Sequence, residues 1–197
     1  MSQNLLIVYQ QHQAALSQRE ARLCQWARAY GGAVGKEWPE MALPPRQPGC
    51  KPRFNGGGPC FSLSHSGDLW AAAFSLEEVG FDVERLRGVM AGSAIAKRYF
   101  HQEEQQWLGR RQEDFLAIWT AKEAVVKWQG RGIDQNFGSF SVIPALTLGL
   151  PLLLPEGRVL VRHFQPARGY IAALAAVKMG KILVKNGAGI CYTNGIG

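Results

Sequence analysis

The chain has 197 residues, enough to bury a sizeable core as one large domain or as two small domains tightly joined. With 47% hydrophobic and 19% charged residues it has globular rather than disordered composition, and its net charge of +7 favours an anionic partner. Several classes are disfavoured: the Lys and Arg residues are scattered rather than gathered into a nucleic-acid arm, no apolar run approaches the ~18 residues of a membrane span, and Cys24, Cys50, Cys60 and Cys191 form no CxxC pair. The N-terminus has no charged segment followed by an apolar core, so a reducing, cytoplasmic setting is expected.

In chain order, residues 16–30 (LSQREARLCQWARAY) are expected to form a helix with Ser17 as N-cap and Glu20 as its capping-box partner. Leu23, Trp26 and Tyr30 supply its apolar stripe, and Gly31-Gly32 are expected to end it. Residues 39–59 are rich in Pro and Gly and read as loop or edge structure. FSLS and LWAAAFS read as strands either side of HSGD, with Gly67 in the turn of a hairpin.

EEVGFDVERL reads as a further strand in which Val79, Phe81 and Val83 alternate with Gly80, Asp82 and Glu84. Helical patterns follow at 93–100, 102–110 and, most strongly, 113–129, where Ile118, Ala121, Val125 and Trp128 make a core stripe that Gly130 stops. SFSVIP, LTLGLPLLL, RVLVRHF and YIAALAAV all read as strands, and the tail from Lys178 has no period and is expected to be loosely held. Both halves mix helix and strand, which points to an α+β chain of two related lobes.

The chemistry begins at Asp82 and Glu84. Side chains two apart on a strand share a face, and like charges that close repel unless a cation lies between them. The alternative is a strand with one solvated face. On the 113–129 helix, Trp119, Glu123 and Lys127 are spaced by four, with Lys122 adding a second cation; the plain alternative is an exposed Glu–Lys pair. If that stripe faced the strand, three hard oxygen ligands would suit Mg²⁺ or Mn²⁺ rather than zinc, and the lysines would suit phosphate.

Ser64-His65-Ser66 has no GxSxG elbow, so its histidine is either a phosphate contact or a turn residue. Lys51 and Arg53 in CKPRF also suit phosphate, whereas NGGGP lacks the Walker lysine and reads as a turn.

Taken together, CKPRF, FSLSHSGDLWAAAFS, VGFDVERL, AKRYFHQEE and FLAIWTAKEAVVKWQGRGI resemble, in order, the motifs of the Sfp-type 4′-phosphopantetheinyl transferases. The resemblance runs from about residue 49 to 133, with a weaker echo through YIAALAAV. It implies a pseudo-twofold monomer of two similar α/β lobes, residues 1–90 and 91–197, with coenzyme A in the cleft between them. It also implies transfer of the phosphopantetheine arm to a serine of an acyl or peptidyl carrier protein, with release of 3′,5′-ADP.

By motif position Asp82, Glu84 and Glu123 would hold Mg²⁺. Glu123 would also serve as base, with Glu104 as a competing candidate. Lys127 would contact phosphate, and Lys51, Ser64 and His65 would line the nucleotide site. The chain departs from the family at Cys50, where Gly is usual, and at Ser62, where Asn is usual; its N-terminal arginine motif is only loosely echoed by Arg19, Arg22 and Arg28. The expected partner surface is acidic, which the positive charge suits. A non-catalytic coenzyme A or carrier-protein binder is the alternative from another class, and a basic nucleic-acid binder is a third.

Overall fold

The computed structural model describes residues 6–12, 16–45, 49–86, 92–109, 112–134, 136–186 and 191–192; for 6–12, 16–17, 92–93, 112 and 191–192 the backbone alone is described. The first strands and helix are β1 (Leu6–His12), α1 (Leu16–Val34), β2 (Cys60–Ser66), β3 (Leu69–Ser75) and β4 (Val79–Arg85). Four helices follow: α2 (Gly92–Tyr99), α3 (Gln102–Trp107), α4 (Gln112–Gln129) and α5 (Ile143–Leu148). The chain then forms β5 (Leu152–Leu154), β6 (Gly157–Phe164), β7 (Tyr170–Ala176), β8 (Ile182–Asn186) and β9 (Cys191–Tyr192). Among the described residues no helix is long and apolar enough to cross a membrane.

The fold is α+β. A five-stranded sheet runs β2-β3-β1-β8-β9 and a four-stranded sheet runs β4-β7-β6-β5. Every pairing is antiparallel except β1 with β8. β4 pairs with β7 and β8 with β1, so each sheet takes strands from both sides of residue 90.

Alternation on the strands sorts the core into layers. Leu23, Trp26, Ala27 and Tyr30 of α1 pack on Phe61, Trp70 and Phe74 of the first sheet. The opposite face of β3, with Leu69, Ala71 and Ala73, packs on Val79, Phe81, Val83, Phe164 and Leu174 of the second. The far face of the second sheet takes α4 through Ile118, Ala121, Val125 and Trp128. Every residue of β3 is buried, as expected for a strand covered on both faces.

Four expectations need correction. α1 does not stop at Gly31-Gly32 but continues to Val34 and ends at Gly35 (φ 67°). Gly31 is there for space: a Cβ would lie 2.5 Å from the Lys36 carbonyl oxygen and 2.8 Å from the Trp38 ring. (The Ser17 cap rests on a side chain outside the described residues.) HSGD is not all turn, because His65 and Ser66 belong to β2 and pair with Trp70 and Leu69.

SFSVIP and LTL form no strand. Pro144 sits in the first turn of α5, where its missing N–H costs nothing, and Gly149 closes that helix in the left-handed conformation. Finally, the tail is not wholly loose: β8 inserts between β1 and β9, and Val184 is buried against the inter-sheet core.

Candidate active site

β4 is an edge strand of its sheet, and unpaired N–H groups on an edge need partners. They find them on β2. Ser62, Ser64 and Ser66, alternate residues of one strand and hence on one face, accept from the N–H groups of Phe81 (3.0 Å), Val83 (3.3 Å) and Arg85 (3.1 Å). Two of these hydroxyls point their protons at the acids, while that of Ser62 turns to the Phe81 carbonyl. Ser64 Oγ donates to Asp82 Oδ1 (2.7 Å), and Ser66 Oγ donates to Glu84 Oε2 (2.5 Å). The serine ladder thus both seals the edge and fixes the two carboxylates.

α4 approaches β4 closely because residue 80 has no side chain. A Cβ on Gly80 would lie 1.8 Å from the Ala124 carbonyl oxygen and 2.5 Å from the Trp128 nitrogen. Glu123 and Lys127, the neighbours of Ala124 and Trp128, are thereby laid over the acids. Lys127 Nζ donates to Asp82 Oδ1 at 2.6 Å. The Glu123 carboxyl is pushed up to about 7, first by burial and then by the charge of Asp82, with Lys127 opposing and Glu84 adding to the rise. Three carboxylates and one lysine, Asp82, Glu84, Glu123 and Lys127, therefore share an electrostatic neighbourhood.

Whether a divalent cation suits this place turns on one atom. Asp82 is buried, and its Oδ2 meets no hydrogen-bond partner among the described residues. A buried, unsatisfied carboxylate oxygen is costly, and a hard cation would satisfy it. The Glu123 carboxyl is raised mainly by burial, and a cation would relieve the smaller part that comes from the charges of Asp82 and Glu84. The donor chemistry fits Mg²⁺. As the side chains stand, no three His, Cys, Asp or Glu groups among the described residues are disposed around a common ion.

Other expected site residues are spread more widely. Ser64 and His65 are adjacent on β2 and point to opposite faces: Ser64 toward Asp82, and His65, exposed and paired with Trp70, toward the α1 side. There the Arg19 guanidinium lies over the Trp70 ring at 5.7 Å. Lys51 lies near the start of β4, where its Nζ donates to Glu78 Oε2 and to the Val79 carbonyl, both at 2.8 Å. Arg53 completes that group by an ion pair to Glu78 Oε1 at 2.5 Å.

Lys122 is not at the rim of this site. Its side chain is fully buried, as is that of Glu104, and the two form an ion pair at 3.0 Å. Lys122 also donates to the Phe140 carbonyl (2.6 Å) and lies over the Phe140 ring. Glu104 accepts from the N–H groups of Val142 (2.9 Å) and His101 (2.8 Å). Burial pushes Glu104 up and Lys122 down, each offset by the other's charge. This knot ties α3, α4 and the start of α5 together. With no exposure and every oxygen bonded, Glu104 is a strut rather than a base poised for a substrate. Trp119 likewise packs inward, on Phe115 and Phe137.

Sequence reasoning passed over Ser62, Ser66, Gly80 and Glu78. The period-two serines of SLSHS were the available signal for the ladder, since one face of hydroxyls on a short strand asks what they bond.

Residues 78–175, 98 of the 197, match the family described as the 4′-phosphopantetheinyl transferase superfamily. Among curated relatives, the chain is 29% identical over 125 residues to 4′-phosphopantetheinyl transferase ffp of Bacillus subtilis, covering 60% of this chain and 55% of that protein. It is 32% identical over 123 residues to 4′-phosphopantetheinyl transferase Sfp of Bacillus subtilis strain 168, covering 59% and 54%. To 4′-phosphopantetheinyl transferase psf-1 of Bacillus pumilus it is 40% identical over 86 residues, covering 41% and 36%. The chain thus spans about half or less of the length of these relatives. The matched segment holds β4, α4 and all but the last residue of β7, and with them all three carboxylates and Lys127. Over that segment, the chain is similar to the 4′-phosphopantetheinyl transferase superfamily.

Proposed function

We propose that this chain transfers the 4′-phosphopantetheine group of coenzyme A to a serine hydroxyl of an apo acyl or peptidyl carrier protein, releasing 3′,5′-ADP. The observation that carries this reading is the placement of Glu123 and Lys127 over the serine-held pair Asp82 and Glu84, inside the segment that matches the superfamily.

In this reading Asp82, Glu84 and Glu123 hold a Mg²⁺ ion, which when bound offsets charge on the pyrophosphate. Lys127, partly exposed, turns its ammonium from Asp82 to a phosphate oxygen of the substrate. Glu123 accepts the proton of the carrier serine. The serine oxygen then bonds to the phosphorus that bears the pantetheine arm, and the bond from that phosphorus to the bridging oxygen breaks. The electron pair leaves with 3′,5′-ADP. Ser64 and His65 border the nucleotide end, Ser64 acting through Asp82, while Lys51 pins the neighbouring loop to Glu78 and the Val79 carbonyl.

The finer architecture belongs to the same proposal: a pseudo-twofold monomer of two similar lobes with coenzyme A in the cleft between them. So do an acidic partner surface and a cytoplasmic setting. The test is chromatographic: coenzyme A, Mg²⁺ and an apo carrier protein should yield 3′,5′-ADP in step with loss of coenzyme A. Coenzyme A binding with no 3′,5′-ADP released would instead make the chain a non-catalytic binder.

A further inference from the structure

Around Lys51, a cavity of about 130 Å³ is lined by Lys51, Arg53, Phe54, Gly58, Cys60 and Glu78 among others. Two cations and one carboxylate leave it with an excess positive charge. Both cations could meet an anion, and their structural commitments differ. The Lys51 side chain is only 10% exposed, and its ammonium is held by two acceptors, the Glu78 carboxylate and the Val79 carbonyl. Those bonds pin the 49–59 loop to the first residue of β4. A ligand could reach that ammonium only by displacing Glu78 or the Val79 carbonyl and loosening the loop from β4.

Arg53 is the reverse case. Its side chain is 60% exposed, and its contacts among the described residues run through one terminal nitrogen, Nη1, to Glu78 and Cys60. A guanidinium carries five donors in a planar fork, so Arg53 can keep Glu78 and still present two or more N–H groups to a second anion. Glu78 is held charged, since the hydrogen bonds from Lys51 and Arg53 outweigh the burial that pushes it up. It therefore orients Arg53 from behind.

We propose that Arg53, rather than Lys51, makes the anion contact of this cavity toward a phosphate of the substrate's nucleotide end, with Lys51 a strut and Glu78 the residue that orients the guanidinium. This assignment rests on the coenzyme A reading above.

Titration calorimetry with 3′,5′-ADP, paired with thermal melts, tests it on wild type, Arg53→Gln, Arg53→Lys and Lys51→Met. Arg53→Gln should weaken binding at least about ten-fold, as loss of a charged hydrogen bond does, with an unchanged melting temperature. Arg53→Lys should recover part of the affinity, and Lys51→Met should lower the melting temperature while the folded fraction binds nearly as wild type. Wild-type affinity in Arg53→Gln, or a loss in Lys51→Met at unchanged melting temperature, would overturn the assignment and leave the coenzyme A reading standing. No binding of 3′,5′-ADP or coenzyme A by the wild type would remove both.

Discussion

Lys127 Nζ lies 2.6 Å from Asp82 Oδ1, joining α4 to β4 across 45 residues of sequence. Ser64 bonds the same oxygen, so the second oxygen of Asp82 is the one left for a ligand. This arrangement separates charge from shape. Asp82→Asn keeps an oxygen for Ser64 but removes the charge. It should cut turnover by about a thousand-fold or more and shift stability by less than about 1 kcal/mol, because Lys127 is partly solvated. Steady-state rates and urea melts on the same preparation read both quantities, and near-wild-type turnover would remove Asp82 from the chemistry.

Gly80 sets how near α4 can come. Gly80→Ala would press a methyl into the Ala124 carbonyl and the Trp128 N–H, and overpacking of this kind costs about 1–3 kcal/mol. The helix carries Glu123 and Lys127, so turnover should fall with stability. An alanine variant as stable and active as wild type would mean that the close approach is not needed.

Glu123 predicts a pH dependence with a definite sign. Its folded pKa of about 7 lies above the ordinary 4.5, so between those values the folded chain holds a proton that the unfolded chain has released. The stability linked to that proton is complete below pH 4.5 and is lost as pH rises through 7. Glu123→Gln, which mimics the protonated form, should therefore match wild type near pH 4.5. In the metal-free protein it should be more stable at pH 8, by on the order of 1–3 kcal/mol. Thermal melts with a chelator present measure the difference, and parallel curves for the two proteins across pH 4.5–8 would contradict it.

The buried pair Lys122–Glu104 should behave as structure. Lys122→Met alone strands a buried carboxylate and should cost about 3–5 kcal/mol. Adding Glu104→Gln removes the stranded charge and should recover much of that loss and most of the turnover. If the double variant folds yet is as inactive as Glu123→Gln, Glu104 takes part in proton transfer after all.

The parts of this site that the sequence made legible are those written in a period. The two-residue alternation from Val79 to Glu84 put Asp82 and Glu84 on one face, and the spacing of Glu123 and Lys127 put them on one stripe. Lys122 was misplaced because adjacency in sequence is not adjacency on a helix; residues one apart point about 100° away from each other, here into the Glu104 knot. Which stripe meets which strand depends on Gly80, whose missing side chain leaves no periodic trace. The strand reading of SFSVIP failed for a related reason: a short apolar run suits helix or strand equally, and Pro144 and Gly149 decide it through end effects. β8 escaped notice because its pattern is set by pairing with β1, far away in sequence.

The central claim is that this carboxylate cluster moves a phosphopantetheine arm onto a carrier serine. Intact-mass spectrometry measures that directly, on an apo carrier protein incubated with coenzyme A and Mg²⁺. We expect the carrier to gain the mass of one phosphopantetheine group with wild-type protein, and to stay unmodified with Asp82→Asn or with chelator in place of Mg²⁺. A panel of fatty-acid, polyketide and peptide carriers that stays unmodified with wild-type protein, while an established transferase loads the same samples, would contradict it.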